Sequence, residues 1–555
     1  MSDFGRPFRK LLVANRGEIA VRVIRACREM GISPVAIYST ADREALHVRL
    51  ADEAYEVGAP QARDSYLRVE AVVEAARRSG AEAVHPGYGF LAENPDFAEA
   101  CEAAGIVFIG PPARAMRAMG NKVEARRIMS EAAVPVVSGT GILPEGEDEA
   151  ARLAREVGYP VILKAAAGGG GKGMRIVRSP EELPGLLRLA RSEASSSFGD
   201  PSIYIERYAE RARHIEVQVL ADSRGSAIHL GERECSIQRR HQKLVEESPS
   251  PVVGEDTRQR IGELAVRAAL AAGYVGAGTV EMLRGEDGSF SFMEMNTRLQ
   301  VEHPVTEMVT GIDIVRSQID IAAGRPIPCG QEEVVLRGHA IECRIYAEDP
   351  FRGFLPSPGR IGTLRAPAGP FVRDDGGVYP GYEVPVHYDP MISKLVAWGR
   401  DRQEAIDRLR RALDEYRIQG IRTTIPFLRR LVRHPAFLSA DIDTSFIERH
   451  GEELRARGVA PSGQPEEDPT STRAVLEAPA DMSAEGEAVR DHPPALHEIA
   501  LIACAVASQR RAGEQSTVGA REPRTGTRGT VVRALSGRLN WKLAGRLEGL
   551  RGPLR

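Results

Sequence analysis

Two glutamates, Glu281 and Glu294, are the residues of this 555-residue chain whose spacing most clearly suggests chemistry. They lie in GAGTVEMLRGEDGSFSFMEMN, which has the pattern of two alternating strands around a Gly-Glu-Asp-Gly turn. If Asp287 and Gly288 form a two-residue primed turn, the two glutamates face one another across the hairpin. Because like charges directly opposite are destabilising, such a pair favours a bound divalent cation such as Mg²⁺. The alternative is two solvated glutamates on an edge hairpin.

Polar side chains continue at every other position beyond the second predicted strand. The row consists of Glu294, Asn296, Arg298, Gln300 and Glu302. If this segment is extended, all five side chains point to one side. That side combines metal-type ligands, a planar cation, an amide and a further carboxylate. We predict that the row forms the floor of an active site.

The segment VILKAAAGGGGKGMRIV places five glycines between two strand-like stretches. Glycine lets the backbone approach a phosphate closely and turn its N–H groups toward it. The Walker pattern does not apply, because Met174 follows the last glycine and a strand rather than a helix comes next. We predict a glycine-rich hairpin lid over a triphosphate, the alternative being a flexible turn without a ligand. Lys164, which ends the preceding strand, and Lys122 are compact cations suited to phosphate oxygens.

A basic cluster lies in ERECSIQRRHQKLVEE, where Arg239, Arg240, His241 and Lys243 occur within five positions. Alone, such a cluster is typical of a solvated face or a nucleic-acid patch. Because it lies in the same central region as the facing carboxylates, we predict that it binds a small anionic substrate.

Length and composition limit the class of protein. A chain of 555 residues predicts two to four domains, and its net charge of −3 gives no general attraction to nucleic acid or membrane. No secretory signal is evident, and the apolar run at residues 499–507 is too short to span a bilayer. The six cysteines show neither zinc spacing nor a secreted framework. These features predict a reduced, soluble cytoplasmic protein.

The chain divides into three patterned regions and a tail. Residues 1 to about 115 begin with a strand, an amphipathic helix and a second strand, the pattern of an open α/β domain. No G-x-G-x-x-G follows the first strand, so a dinucleotide fingerprint is absent. The chemistry lies between about 116 and 334, and a mixed α/β region follows. After about 455, a linker rich in Pro, Ser, Ala and acidic residues leads to a helical pattern and an arginine-rich end, which predicts a flexible tail.

With these motifs in view, the chain resembles the biotin carboxylase component of acyl-CoA carboxylases such as acetyl-CoA and propionyl-CoA carboxylase, in the ATP-grasp superfamily. The matching motifs occur in the family's order: LVANRGEIA, HPGYGFLAEN, MGNKVEAR, KAAAGGGGKGMR, RHIEVQVLAD, CSIQRRHQK, GAGTVE, MEMNTRLQVEHPVTE, GHAIECRIYAEDP and FLPSPG. The resemblance implies an α/β and α+β multidomain fold. Its parts would be a Rossmann-like N-terminal domain (1–115), an ATP-grasp domain (116–334, with a mobile lid at about 135–205), a biotin carboxylase C-terminal domain (335–450) and a linker, helix and basic tail (451–555).

Site roles follow from the resemblance, motif by motif. ATP would be surrounded by Lys122, Lys164, Gly170, Gly171, Glu206, Ala209, His214 and His241. Mg²⁺ or Mn²⁺ would be held by Glu281, Glu294 and Asn296. Bicarbonate would be positioned by Lys243, Arg298, Gln300 and Val301, with Glu302 as its general base, and the biotin ureido ring would meet Tyr88, Gly89 and Arg344. Ala209 and Lys172 depart from the family's usual residues, but neither change removes a catalytic group.

The activity implied is that of an ATP-dependent ligase, which carboxylates biotin with bicarbonate through carboxyphosphate as the first half-reaction of an acyl-CoA carboxylase. The sequence contains no Met-Lys-Met biotinylation site, and the nearest tripeptide in the tail is Trp541-Lys542-Leu543. Biotin is therefore expected on a separate biotin carboxyl carrier protein, with a separate carboxyltransferase subunit. The family's catalytic unit is commonly a homodimer, and the tail is a hypothetical contact for the partners.

Three alternatives stay open. The chain could be the biotin carboxylase subunit of a two-subunit pyruvate carboxylase. It could be another bicarbonate-using ATP-grasp ligase, although such an enzyme has no need of HPGYGFL or HAIECR. It could also be a nucleotide-binding scaffold without activity, although every catalytic position holds a competent residue. The final acceptor, whether acetyl-CoA (as in fatty acid biosynthesis), propionyl-CoA, methylcrotonyl-CoA or pyruvate, is not encoded in these motifs.

Overall fold

The computed structural model describes residues 7–166 and 174–456. The predictions for Gly170 and Gly171 and for the tail from residue 457 onward fall outside the described residues. Within the described ranges, no helix is both long enough and apolar enough to cross a membrane.

The first region is a parallel sheet flanked by helices. Its strands are β1 (Lys10–Val13), β2 (Ser33–Ser39), β3 (Glu53–Gly58), β4 (Ala83–His85) and β5 (Val107–Phe108). Its helices are α1 (Gly17–Glu29), α2 (Leu46–Leu50), α3 (Val69–Ser79), α4 (Pro95–Ala103) and α5 (Ala113–Gly120). The strand order is β3-β2-β1-β4-β5, which confirms the predicted open α/β architecture. Alternate residues of β1 enter two apolar clusters, Leu11 and Val13 one and Leu12 the other, because the central strand is covered on both faces.

A small antiparallel sheet begins the second region. Its strands are β6 (Gly139–Ile142), β7 (Val161–Ala165), β8 (Arg175–Val177) and β9 (Ile203–Arg207), and the helices around it are α6 (Lys122–Glu131), α7 (Glu147–Val157) and α8 (Leu183–Phe198). The order is β6-β9-β7-β8. Since β7 and β8 are antiparallel neighbours, the glycine-rich segment connects two strands, as predicted, rather than a strand and a helix.

A large antiparallel sheet joins the second and third regions. Its strands are β10 (Arg213–Ala221), β11 (Ala227–Arg239), β12 (Gln242–Ser248), β13 (Gly276–Arg284), β14 (Phe290–Asn296), β15 (His339–Tyr346), β20 (Val372–Gly376) and β22 (Met391–Gly399). Their order is β14-β13-β10-β11-β12-β15-β22-β20. Because β12 pairs with β15, the sheet is continuous across the predicted boundary between residues 334 and 335.

The remaining elements surround this sheet. The helices are α9 (Glu255–Ala271), α10 (His303–Thr310), α11 (Ile314–Ala322), α12 (Arg402–Glu415), α13 (Ile425–Leu431), α14 (Pro435–Leu438) and α15 (Phe446–Arg455). Short strands are β16 (Glu348–Asp349), β17 (Leu355–Pro356), β18 (Gly359–Arg360), β19 (Leu364–Arg365), β21 (Glu383–Val384) and β23 (Arg417–Ile418). On β10, Ile215, Val217 and Val219 pack with α9, so the alternate residues His214 and Glu216 face the other side of the sheet.

The β13–β14 hairpin has the predicted facing glutamates but not the predicted turn. Gly285 N donates to Ser289 O at 2.9 Å and Gly288 N donates to Gly285 O at 3.0 Å, so a three-residue loop (286–288) closes the hairpin instead of the predicted two-residue turn. The longer turn shifts the register by one residue, and a bulge at Met293 shifts it back. Glu281 therefore faces Glu294 for a reason that the alternating pattern does not show.

The predicted extended row is also only partly a strand. β14 ends at Asn296, and residues 297–302 are irregular until α10 begins at His303. Residues of this irregular segment still lie together on the large sheet, because Gln300 donates to Glu281 and Glu302 accepts from Lys243.

Candidate active site

The hairpin glutamates lie at the edge of a polar cluster on the large sheet. Glu281 is buried and Glu294 is partly exposed, with Lys122 Nζ 3.7 Å from Glu294 Oε2. Burial, and next the charge of Glu281, raise the pKa of Glu294. Two carboxylates in mutual repulsion beside the amide of Asn296 are a donor set that suits a hard divalent cation. The structure therefore fits the predicted Mg²⁺ ligands.

Lys243 is at the centre of the cluster. Its Nζ lies 2.5 Å from Glu216 Oε2, 2.9 Å from Glu281 Oε1 and 2.6 Å from Glu302 Oε1. Burial opposes its charge, but the three carboxylates raise the pKa of Lys243 well above its usual value. One ammonium group thus links the predicted metal ligands to the predicted general base.

Glu302 lies between two cations. Its second oxygen, Oε2, accepts from Arg344 Nη2 at 3.0 Å, and Arg344 Nε donates to Glu246 at 2.6 Å. Burial would favour the neutral acid, but Lys243 and Arg344 lower the pKa of Glu302. The side chain is therefore a carboxylate at neutral pH and can accept a proton.

Gln300 and Arg233 brace the cluster from below. Gln300 Nε2 donates to Glu281 Oε1 at 2.8 Å, and Gln300 Oε1 accepts from Arg233 at 2.7 Å. Arg233 is fully buried and also donates to Glu216 at 2.6 Å. Sequence reasoning missed Glu216 and Arg233, although His214, Glu216 and Gln218 form a period-two polar row that could have indicated a second polar strand.

Arg298 connects the row to the first region. Its Nε donates to Glu93 Oε2 at 2.9 Å, and Thr297 N donates to Glu93 Oε1 at 2.9 Å. Arg298 Nη2 also donates to Asn296 Oδ1 at 3.0 Å. Glu93, in the HPGYGFLAEN motif, was not predicted as a site residue, and it fixes the irregular segment after β14.

The residues predicted around the nucleotide fall into two groups. Lys164 and Glu206 form a 2.5 Å ion pair on the small sheet, and the charge of Lys164 partly opposes the rise in the pKa of Glu294 that burial causes. His214 Nε2 is 3.2 Å from Glu281 Oε2, and although burial opposes its charge, Glu281 raises the pKa of His214 to about 9. Ala209 is exposed in a loop of the structure.

His241 is also exposed, in the tight turn between β11 and β12. With Arg240 it adopts positive φ, at 65° and 50° respectively. Such a conformation costs energy in residues other than glycine. Both side chains are exposed.

Three further predicted substrate residues lie near Lys394, a residue of β22 that sequence reasoning did not single out. Val301 is half-buried and its carbonyl accepts from Lys394 Nζ at 3.0 Å. Tyr88 lies with its ring centroid 5.8 Å from the same nitrogen, and Gly89 follows it with φ of 68°. The predicted bicarbonate and biotin residues are therefore close together in the described structure.

The arrangement can hold a cation, anions and a proton acceptor at once. The hairpin end offers carboxylates for a divalent ion, Lys122 and Lys164 offer positive charge beside it, and Glu302 is an ionised base between Lys243 and Arg344. This combination suits transfer of a phosphoryl group to a small anionic nucleophile.

Comparison with protein families gives three matches in chain order. The profile for the biotin carboxylase N-terminal domain matches residues 7–116, the carbamoyl-phosphate synthase L chain ATP-binding domain matches 121–329, and the biotin carboxylase C-terminal domain matches 342–449. Together they span most of the described residues.

Individual proteins show the same relationship. A pyruvate carboxylase subunit of Methanothermobacter thermautotrophicus is 54% identical over 82% of this chain and 93% of its own length. Biotin carboxylase 1 of Bacillus subtilis is 54% identical over 80% and 98%. Among solved structures, the Campylobacter jejuni biotin carboxylase–βγ-ATP complex is 49% identical with a TM-score of 0.78, covering 80% of this chain and 99% of that one.

A second solved structure carries several small molecules. The biotin carboxylase domain dimer of Hydrogenobacter thermophilus 2-oxoglutarate carboxylase, in complex with MgADP, ADP and bicarbonate, is 48% identical. It superposes with a TM-score of 0.78 and covers 81% of this chain and 99% of that one.

Proposed function

The chain belongs to the biotin carboxylase family, and on that premise we propose that it is an ATP- and Mg²⁺-dependent ligase that carboxylates biotin with bicarbonate. The observation that supports this most directly is Glu302, an ionised carboxylate held by Lys243 and Arg344 beside the facing glutamates of the β13–β14 hairpin. The biotin would be attached to a separate carrier protein.

On the bicarbonate side, Glu302 acts as general base. Bicarbonate is a weak nucleophile, so removal of its proton by Glu302 prepares an oxygen to attack the γ-phosphate of ATP. Lys243 and Arg298 stabilise the negative charge on that oxygen, and Gln300 and Val301 orient the anion. The product is carboxyphosphate with ADP.

On the nucleotide side, positively charged residues face the phosphates. Lys122 and Lys164 bind phosphate oxygens, and Glu206, Ala209, His214 and His241 surround the rest of the nucleotide with Gly170 and Gly171. Glu281, Glu294 and Asn296 would hold Mg²⁺, which neutralises phosphate charge when bound. Carboxyphosphate hydrolyses readily. We therefore propose that the glycine-rich segment excludes water during the lifetime of carboxyphosphate.

On the biotin side, Arg344 is the central residue. Carboxyphosphate releases CO₂ beside the ureido ring, and the departing phosphate removes the proton from the ureido nitrogen. That nitrogen then attacks CO₂, while Arg344 stabilises the negative charge that develops on the ureido oxygen. Tyr88 and Gly89 position the ring.

The partners follow from the same proposal. We infer a biotin carboxyl carrier protein, a separate carboxyltransferase and a homodimeric catalytic unit, with residues 451–555 as a contact for partners. The proposed domains are 1–115, 116–334 (lid about 135–205) and 335–450, and the order of the three family profiles, at 7–116, 121–329 and 342–449, supports this division. One similar protein is named as a pyruvate carboxylase subunit and another as a propionyl-CoA carboxylase alpha chain, so both pyruvate and acyl-CoA are candidate acceptors.

The test uses purified protein with ATP, Mg²⁺, labelled bicarbonate and free biotin. We expect biotin-stimulated release of ADP and label in carboxybiotin. Release of ADP that biotin does not stimulate would favour another bicarbonate-using ATP-grasp ligase, and no turnover at all would favour a scaffold. Identification of the transferase that co-purifies would decide the acceptor.

A further inference from the structure

Lys394, a fully buried lysine that was not predicted as a site residue, contacts the backbone of the predicted bicarbonate segment at Val301. Lys394, on β22, has no exposed surface, and its Nζ donates to Val301 O at 3.0 Å. The same nitrogen lies 3.2 Å from Glu18 Oε2. Since a buried ammonium group is costly unless it is paired, contacts of this kind are expected to determine its position.

Lys394 lies next to the proposed bicarbonate residues and next to the proposed biotin residue. Val301 directly precedes the proposed base, Glu302. In the β15–β22 ladder Lys394 is paired with Arg344, the proposed biotin residue. One side chain thus touches the segment that carries the bicarbonate residues and neighbours a residue that faces biotin.

Glu18 holds Lys394 from the first region. It lies in the first turn of α1 and is buried, and neither of its oxygens has a hydrogen-bond partner among the described residues. Burial raises the pKa of Glu18 to about 7, and the positive charge of Lys394, its ion-pair partner, opposes that rise. A Cβ on Gly377 would lie 2.6 Å from Glu18 N, so the third region closely abuts this turn of α1. This close backbone packing fixes the start of α1, which carries Glu18, against the third region.

We propose that Lys394 is a positioning residue that fixes the 297–302 segment through the Val301 carbonyl, with Glu18 as its anchor, and so sets the distance between the bicarbonate and biotin positions. The inference rests on the proposed function and extends it to two residues that contact no substrate. A displaced segment misplaces both Glu302 and the groups that orient bicarbonate.

The experiment compares Lys394→Met with the double variant Glu18→Gln/Lys394→Met. Lys394→Met leaves Glu18 buried without a cation, so it loses both thermal stability and the contact to Val301. The double variant replaces the buried carboxyl group with an amide and recovers stability, but it cannot restore the bond to Val301 O. We expect the KM for bicarbonate to rise about tenfold or more in both variants, because misplacement of about 1 Å is enough for such losses, while the KM for ATP stays within about twofold.

The outcomes separate this inference from the proposed function. If wild-type protein carboxylates biotin and the double variant has a normal KM for bicarbonate, Lys394 is only a structural partner of Glu18 and the positioning role is wrong. If wild-type protein does not carboxylate biotin, both proposals fail together. The matched control is Arg402→Met, which breaks a buried ion pair with Glu247 and should lower stability without changing the KM for bicarbonate.

Discussion

The two faces of the eight-stranded sheet differ in how completely their buried carboxylates are paired. On the face toward α12, Glu247 accepts from Arg402 Nε at 2.7 Å, and His339 Nε2 lies 2.7 Å from the same carboxylate. On the other face, the adjacent residue Glu246 has one oxygen without a hydrogen-bond partner among the described residues. On that face three carboxylates also share the single ammonium group of Lys243.

The pKa values of these neighbours record the difference. Burial alone would raise both, but His339 and Arg402 lower the pKa of Glu247 to about 2. Burial raises the pKa of Glu246 to about 7 in spite of Arg344. A structural pair is complete within the folded chain, whereas the site leaves charges and lone pairs that only bound molecules complete. Substitutions on the two faces should therefore affect different properties.

The largest effect on activity is expected from Glu302→Gln. The amide cannot accept a proton from bicarbonate, so carboxylation should fall about 10²- to 10⁴-fold while ATP still binds. Carboxybiotin formation and calorimetric titration with ATP measure the two quantities. Glu247→Gln is the matched control, because it makes the same change on the opposite face. Near-normal turnover in Glu302→Gln would show that another group is the base.

A smaller and more selective effect is expected from Arg344→Ala. Removing the guanidinium withdraws the charge that stabilises the ureido oxygen, so carboxyl transfer to biotin should fall about 10²-fold. Bicarbonate-dependent ATP hydrolysis should fall less, because Lys243 still holds Glu302. Parallel assays of ADP and carboxybiotin give the ratio. Equal losses in the two assays would place Arg344 on the bicarbonate side instead.

Much of the site was predictable because it repeats within short segments. The open α/β fold of the first region follows from its βαβ pattern, and the pairing of β13 with β14 follows from their alternating pattern. The facing glutamates were predicted from a turn that the structure does not have, and the polar row is a strand only as far as Asn296. The bulge at Met293 was not predictable, since an alternating sequence does not reveal which residue a ladder leaves unpaired.

Contacts between distant segments could not be predicted either. Glu93 accepts a hydrogen bond from Arg298, which is 205 positions away in the sequence. Glu18 of the first region forms an ion pair with Lys394 of the third region. A single sequence shows that such residues are charged but not which partner each one finds. Glu93, Glu18 and Lys394 were missed for this reason.

Glu342 sharpens the comparison because it lies on the site face without a hydrogen-bond partner in the part of the chain that the structure describes. It is opposite Glu246 in the β12–β15 ladder, and both of its oxygens are buried. Burial, opposed in part by Lys394, raises the pKa of Glu342 well above 4.5, which favours the protonated form of the side chain. Glu342→Gln should therefore keep activity within about twofold, since the amide has the shape and the neutral charge of the protonated form that burial favours.

The stability of the Glu342→Gln variant should also depend less on pH. A carboxyl with a raised pKa takes up a proton on folding, so its contribution to stability is full below about 4.5 and declines as the pH rises through the folded pKa. Urea unfolding between pH 5 and 8 should show a shallower decline in the variant. Activity lost as severely as in Glu302→Gln would mean that Glu342 is ionised and part of the catalytic charge balance.

The smallest effect on activity, and the clearest effect on acid stability, is expected from Glu247→Gln. The folded pKa of Glu247 is depressed, so its stabilisation is present above about 4.5 and is lost as the pH falls toward about 2. A shift of this size corresponds to about 3 kcal/mol of unfolding free energy. Wild type should exceed the variant in stability at pH 7, and the gap should close on acidification. Turnover at pH 7 should be nearly unchanged, because Arg402 and His339 lie on the face away from Lys243. A gap that persists at pH 2, or a loss of turnover as large as in Arg344→Ala, would contradict the division of roles between the two faces.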